Sequence, residues 1–274
     1  MVCSTEILCV GTELLIGKTL NTNAHWLAKR ITSLGGEVTR ITVVRDDVGE
    51  IASSVEEAMH RKPRFLFTVG GLGPTFDDKT LEGVAKALRC KLKVVDEALK
   101  SVEEKYQMHV REGLVEKAEL TPPRVKMAKL PELAEPLFNP VGTAPGVILK
   151  HDTTTVVALP GVPSEMIAIF EGPVASVLKQ AAGNMTFFEA SINVTGVMES
   201  EMAPIIDRVM QDNPYVYIKS HPKGEEGISK IEFHLSTTSE NPSAARKHLS
   251  KAFVQLSDTV VKKGGKIKPV RTEI

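Results

Sequence analysis

Short apolar runs alternate with helical-period segments along the first ninety residues. Ile7-Leu8-Cys9-Val10 is apolar throughout and stops at Gly11, the pattern of a strand buried on both faces. Asn21-Thr22-Asn23 then offers helix caps, with Trp26, Leu27, Ile31 and Leu34 at helical spacing and Gly35-Gly36 as a stop. Val38 to Val44 is rich in β-branched residues and predicts a second strand. Asp46-Asp47 follows it, and Ile51 to Met59 carries the next helical period. Phe65 to Val69 predicts a third strand ending in Gly70-Gly71, and Asp77 to Leu88 a third helix. This alternation predicts a mostly parallel sheet with helices on both faces, a three-layer α/β fold. Right-handed crossovers put the loops at Gly11, Asp46 and Gly70 along one sheet edge, where such folds bind ligands.

Farther along, Ala98 to Val110 reads as a helix, and Pro122, Pro123 and Pro131 break an irregular stretch. Val147 to Leu149 and Thr155 to Leu159 predict two more strands, and Pro163 to Leu178 a closing helix. Beyond Gly183-Asn184 the pattern changes to β-α-β-β-α: Phe187–Val194, Glu199–Met210, Tyr215–Lys219, Ile228–Leu235 and Ser243–Val261. We therefore divide the chain into an α/β domain, 1–182, and a small α+β domain, 183–274, with the tail after Lys263 expected to be poorly ordered.

Charge narrows the function classes. The 274 residues carry 34 Lys+Arg and 34 Asp+Glu, so no global positive field attracts nucleic acid or a membrane surface. The three cysteines, Cys3, Cys9 and Cys90, form no CxxC or zinc spacing, which fits reduced thiols and a cytoplasmic protein. Glu6 and Glu13 interrupt any signal-peptide core, and no apolar run reaches the ~18 residues of a membrane span. The seven histidines show no HxH or HExxH, and Ser164 is not in a G-x-S-x-G elbow. These patterns argue against a zinc hydrolase and against an α/β-hydrolase nucleophile.

Two loops imitate phosphate motifs without meeting their geometry. Gly11 to Thr19 ends Gly17-Lys18-Thr19 but has five residues between its glycines, one of them Glu13, where a P-loop has four. Gly224-Glu225-Glu226-Gly227 mimics a GxxG nucleic-acid clamp, yet its glutamates repel phosphate. RNA binding by the small domain is accordingly disfavoured. The most informative stretch is Gly70-Gly71-Leu72-Gly73-Pro74-Thr75-Phe76-Asp77-Asp78-Lys79-Thr80, between a strand and a helix. It lacks the third glycine of a dinucleotide fingerprint. Its glycines let successive amides approach an anion, and one aspartate can cap the helix while the other points elsewhere, toward a hard cation or a ribose or pterin ring.

Gly11-Thr12-Glu13-Leu14-Leu15 with Asn21 to Asn23, Gly70 to Thr80, Gly142-Thr143-Ala144-Pro145-Gly146 and Pro160-Gly161-Val162-Pro163-Ser164-Glu165 occur in order over about 155 residues. Together they resemble the CinA family, whose main domain is of the molybdenum-cofactor-biosynthesis (MoCF) type shared with gephyrin and part of FAD synthase. Residues after 182 resemble the small KH-like module of that family. The chain departs from the family at Lys126-Met127-Ala128, usually Lys-Gln-Ala, and at Arg45-Asp46, usually Gly-Asp. The first removes a polar ligand contact. The second adds a cation expected at the cleft edge. No stretch resembles the amidase domain of longer members, so that activity is not expected.

The resemblance implies a divalent-metal-dependent pyrophosphatase acting on ADP-ribose or an FAD-like ester, with Mg²⁺, Mn²⁺ or Co²⁺, and K⁺ as a further cation. The alternative it implies is molybdopterin binding without hydrolysis, and in either case a homo-oligomer, a dimer. In this assignment Asp77 and Asp78 are catalytic and, with Asp46, ligate the metal. Gly11, Thr12, Glu13, Asn23, Gly70, Gly71, Leu72, Gly73, Pro74, Thr75, Gly142, Thr143, Pro160 and Gly161 bind the nucleotide or pterin phosphate.

Overall fold

The computed structural model describes residues 3–223 and 230–270. The loop at 224–227 therefore lies outside the described residues. The chain forms two compact units: residues 1–32 with 36–182, and residues 33–35 with 183–274.

The first unit is built on a six-stranded sheet of order β2-β1-β3-β8-β7-β6. The strands are β1 (Cys3–Val10), β2 (Gly36–Val44), β3 (Phe65–Val69), β6 (Glu135–Leu137), β7 (Gly146–His151) and β8 (Thr154–Leu159). β2, β1, β3 and β8 run parallel; β7 adds antiparallel to β8, and β6 antiparallel to β7, at one side. β3 and β8 are buried at every position, because helices cover both faces of the sheet centre. One face packs Leu8, Val10, Leu66 and Val156 against Ile51, Val55 and Val84. Phe67 and Trp26 both contact the fully buried Phe170. Burial of each such side chain contributes about 1.5–3 kcal/mol.

The connecting helices are α1 (Thr12–Leu15), α2 (Thr22–Ser33), α3 (Val48–Arg61), α4 (Thr80–Ala87), α5 (Asp96–Arg111), α6 (Pro122–Lys126), α7 (Pro163–Ile169) and α8 (Ala175–Ala182). A two-stranded ribbon pairs β4 (Leu92–Val94) with β5 (Lys129–Pro131). Asn21 caps α2, its Oδ1 accepting from Ala24 N at 3.1 Å, and Asp47 caps α3 through Gly49 and Glu50 N–H groups.

Two expectations need correction here. The helix expected from Asp77 begins at Thr80, because Thr80 Oγ1 donates to Gly70 O and Thr80 N to Gly71 O, pinning the first turn to the end of β3. Neither aspartate caps it. The helix expected from Pro163 to Leu178 is interrupted over Phe170–Val174. Gly172 leaves the helical region (ψ −112°), and Pro173 has no N–H to donate.

Midway along β1, Glu6 is almost fully buried and receives two bonds from Arg61, Nε to Oε1 and Nη2 to Oε2, both 2.7 Å. Arg61→Leu would strand that carboxylate without a donor. The Arg61 side chain is itself a third exposed, so water softens the loss. The expected cost is about 2 kcal/mol, read as a lower midpoint in urea unfolding; an unchanged midpoint would show the pair to be neutral.

The second unit has a four-stranded antiparallel sheet of order β10-β11-β9-β12 with two helices. Its elements are β9 (Thr186–Thr195), α9 (Glu199–Asp212), β10 (Tyr217–Pro222), β11 (Lys230–Ser239), α10 (Pro242–Lys262) and β12 (Lys266–Val270). Ile192, Val194, Phe233, Leu235, Leu256 and Val260 form its core. The tail expected to be poorly ordered instead supplies β12, paired with β9 from Lys266↔Thr195 to Val270↔Ser191.

Candidate functional site

β1 lies between β2 and β3, so the chain crosses the sheet in opposite directions from it. The carboxyl ends of β1 and β3 flank this switch point, where an α/β sheet opens a crevice. A cleft of about 690 Å³ occupies it, with Cys9, Val10, Val69 and Gly70 at its floor.

The glycine loop forms one rim. Gly70, Gly71, Leu72, Gly73 and Pro74 all line the cleft. Gly70 and Gly71 have φ of +104° and +66°, which side chains rarely tolerate. The Gly70 N–H is engaged by Leu159 O at 3.0 Å, so Gly70 offers a ligand no amide. The N–H groups of Gly71, Leu72 and Gly73 make no hydrogen bond to any described residue. The amides of Gly71 and Gly73, expected to cradle phosphate, are thus available to do so.

The acidic turn follows. Asp77 and Asp78 line the cleft, whereas Thr75 does not and instead binds both carboxylates. Its N–H donates to Asp78 Oδ2 (2.8 Å), and its hydroxyl lies within hydrogen-bonding distance of Asp78 Oδ2 (2.6 Å) and of Asp77 Oδ1. One hydroxyl hydrogen serves one acceptor at a time. The two carboxylates therefore share one hydroxyl hydrogen, with the Thr75 N–H serving only Asp78, a configuration that favours a cation. The Thr75 hydroxyl, with Lys126 and Lys79 nearby, holds the Asp77 carboxyl below its ordinary value of 3.8. A lowered carboxyl keeps its charge as pH falls, and the stabilisation from this contact is lost only on passing through the lowered value. Thr75→Val should raise the Asp77 pKa toward the ordinary one. Carboxyl-detected NMR titration checks this; an unmoved titration would remove Thr75 as the cause.

Asp46 also lines the cleft, but its Oδ2 is taken by Thr12 N (2.7 Å) and Thr12 Oγ1 (2.8 Å). Gly11 and Thr12 are not among the lining residues; Thr12 instead braces Asp46. Glu13 does line the cleft, as do Gly142, Thr143, Pro160 and Gly161. Asn23 donates through Nδ2 to Gly161 O at 2.7 Å, leaving its buried Oδ1 with no partner among the described residues. Arg45, expected to bring a cation to the cleft edge, is absent from the lining and pairs with Glu50 at 3.8 Å.

Glu165, Tyr106 and His109 were not anticipated as site residues. Glu165 is held by the fully buried Asn139, whose Nδ2 donates to Glu165 Oε2 (2.7 Å) and Ala144 O (2.8 Å). The Asn139 Oδ1 accepts from Val141 and Gly142 N–H, tying the 139–144 loop to the first turn of α7. Tyr106 and His109 are three apart on α5, a spacing that places two side chains on one helical face and could have flagged them. Among the described residues the lining holds five carboxylates (Glu13, Asp46, Asp77, Asp78 and Glu165) and no lysine or arginine. No group of three or more His, Cys, Asp or Glu is arranged to hold a metal by itself among the described residues.

Residues 6–180 match the MoCF biosynthesis family, described as a probable molybdopterin binding domain. The chain belongs to this family. A crystal structure of the protein CinA, of unknown function, from Thermoplasma acidophilum is similar to this chain at 39% identity. Its TM-score is 0.59 over 64% of this chain and 98% of that one. Proteins of Aeropyrum pernix (45% identical, covering 95% of both chains) and Sulfurisphaera tokodaii (42% identical, 96% of this chain and 97% of that one) extend the likeness along nearly the whole length. The MoCF match contains every residue of the glycine rim and the acidic turn. No helix among the described residues is long and apolar enough to cross a membrane.

Proposed function

We propose that the MoCF unit of this CinA-like protein binds an adenosine diphosphate ester, ADP-ribose or an FAD-like molecule, and hydrolyses its pyrophosphate with a divalent cation. The observation that carries this reading is the juxtaposition, in one cleft, of three uncommitted amides at Gly71, Leu72 and Gly73 with the Asp77–Asp78 pair. The amides suit a phosphate oxygen. The carboxylates suit its counter-cation.

Electrostatics sharpens the reading. A bare diphosphate entering a lining with five carboxylates and no lysine or arginine meets repulsion, so it is better accepted as its cation complex. Mg²⁺ commonly uses one or two protein carboxylates, with waters and substrate phosphates completing its shell. The donor set fits that half-site and not a full protein cage. Asp77 and Asp78 would hold the cation, with Asp46 less suited because Thr12 already occupies its Oδ2. When bound, the cation supplies charge neutralisation and activation of water.

In the reaction, a water oxygen bonds to the adenosine-side phosphorus and the P–O bond of the bridge breaks. AMP and ribose 5-phosphate leave, with the proton passing to solvent. The Gly71 and Gly73 amides would fix the phosphate under attack.

The test is incubation of the purified chain with ADP-ribose or FAD and Mg²⁺, Mn²⁺ or Co²⁺, followed by chromatography for AMP. AMP formation is expected; its absence with every metal defeats the hydrolase reading. The family's description favours a second reading, a molybdopterin site without turnover. It predicts a fluorescent pterin carried through purification.

A further inference from the structure

Diphosphate chemistry engages only the glycine rim and the acidic turn of the cleft. Three other lining residues take no part in it: Tyr106 and His109 on α5, and Met127 directly after α6. Building on the diphosphate reading above, we infer that these three form a seat for a planar, nitrogen-rich ring carried by the diphosphate, whether adenine or pterin.

Tyr106 is held in place before any ligand arrives. The Arg124 guanidinium lies over its ring, 3.6 Å from the centroid, and that guanidinium is itself fastened, Nη1 donating to Lys117 O (2.9 Å) and Glu119 O (2.7 Å). The His109 ring meets Tyr106 edge-on, with centroids 5.7 Å apart and planes at 82°. Both rings are half-buried, and Met127 beside the cleft is 3% exposed. An aromatic wall fixed in advance binds a ring with little ordering cost. The cleft volume of about 690 Å³ is that of a site for a whole small molecule rather than for a diphosphate alone. Against the acidic remainder of the lining, this aromatic end is where a neutral heterocycle is better accommodated than a charged group.

The Met127 thioether adds a polarizable surface suited to an aromatic edge.

The experiment compares two non-hydrolysable probes by calorimetry in Mg²⁺: the α,β-methylene analogue of ADP-ribose, and methylenediphosphonate, which has no ring. Tyr106→Leu and His109→Leu should each weaken the ADP-ribose analogue about tenfold, the loss of one stacking partner. They should leave methylenediphosphonate within about twofold, and Tyr106→Phe should bind both like the native protein. Competition by AMP against a pterin phosphate then identifies the ring. If Tyr106→Leu lowers the melting temperature, His109→Leu carries the test. Equal weakening of both probes, or no weakening of either, overturns the ring seat. A native protein that binds neither probe overturns the diphosphate reading itself, and the two failures are thereby distinct.

Discussion

Asp77→Ala combined with Asp78→Ala should lower AMP release from ADP-ribose about a thousandfold, the scale on which preorganised charge stabilisation acts at a reacting phosphate. The single variants should not be equal. Asp78 also holds the turn, since its Oδ2 accepts from both the N–H and the hydroxyl of Thr75. Asp78→Ala therefore removes a structural contact along with a charge and should slow the reaction partly by loosening the loop. Asp77 is exposed, and Thr75 Oγ1 is its side-chain partner. Asp77→Asn keeps nearly the same shape and that donor, so its loss of rate isolates the charge. Steady-state assays across Mg²⁺ concentration decide the matter. A half-site completed by substrate predicts that Asp77→Asn raises the metal requirement while the fold stays intact. Full activity in both single variants would show that the acidic turn has no part in turnover.

What the sequence revealed, and what it concealed, follows from the range of the forces involved. β3 and β8 are apolar and β-branched along their length, with threonine as their only polar residue type, and burial on both faces suits them. The glycine rim was readable because positive φ is a local demand. By contrast, the start of α4 was misplaced by three residues. An aspartate pair looks like a cap, but the first turn is fixed by a Thr80 hydroxyl reaching back ten positions to Gly70 O. β12 was missed because Lys266-Ile267-Lys268 offers a single apolar side chain to the core, as an edge strand can. The break at Gly172-Pro173 was hidden by helical periodicity on either side of it.

The candidate site shows the same division. The glycine rim and the Asp77–Asp78 pair come from one contiguous segment, which made them legible as a candidate site. The brackets of the site cross the chain and were not legible: Thr12 holds Asp46 from 34 residues away, and Asn139 holds Glu165 from 26. Tyr106 and His109 carry no motif of their own. Their position on the cleft depends on where α5 packs, which local pattern does not encode.

Gly70→Ala should strongly destabilise this unit. At φ +104° the backbone is in a region that side chains rarely adopt, and a Cβ there would collide with the carbonyl oxygen of Val10 in β1. That oxygen belongs to the last residue of β1, paired there with Val44 of β2, and gives way only by disturbing that pairing. Relief by moving Gly70 breaks two other contacts, its N–H to Leu159 O at 3.0 Å and its carbonyl to Thr80 Oγ1 at 2.7 Å. Strain and overpacking together amount to about 4 kcal/mol. For a unit of this size that corresponds to roughly 8–16 °C in melting temperature. Gly161→Ala supplies the contrast. Its Cβ would meet only Gly70 Cα at 3.4 Å, an ordinary contact, so the melting temperature should move by no more than a few degrees. Thermal unfolding by circular dichroism separates the two variants. A Gly70→Ala protein that melts like Gly161→Ala would mean that the loop relaxes freely, and a loop that relaxes freely does not hold its amides ready for phosphate.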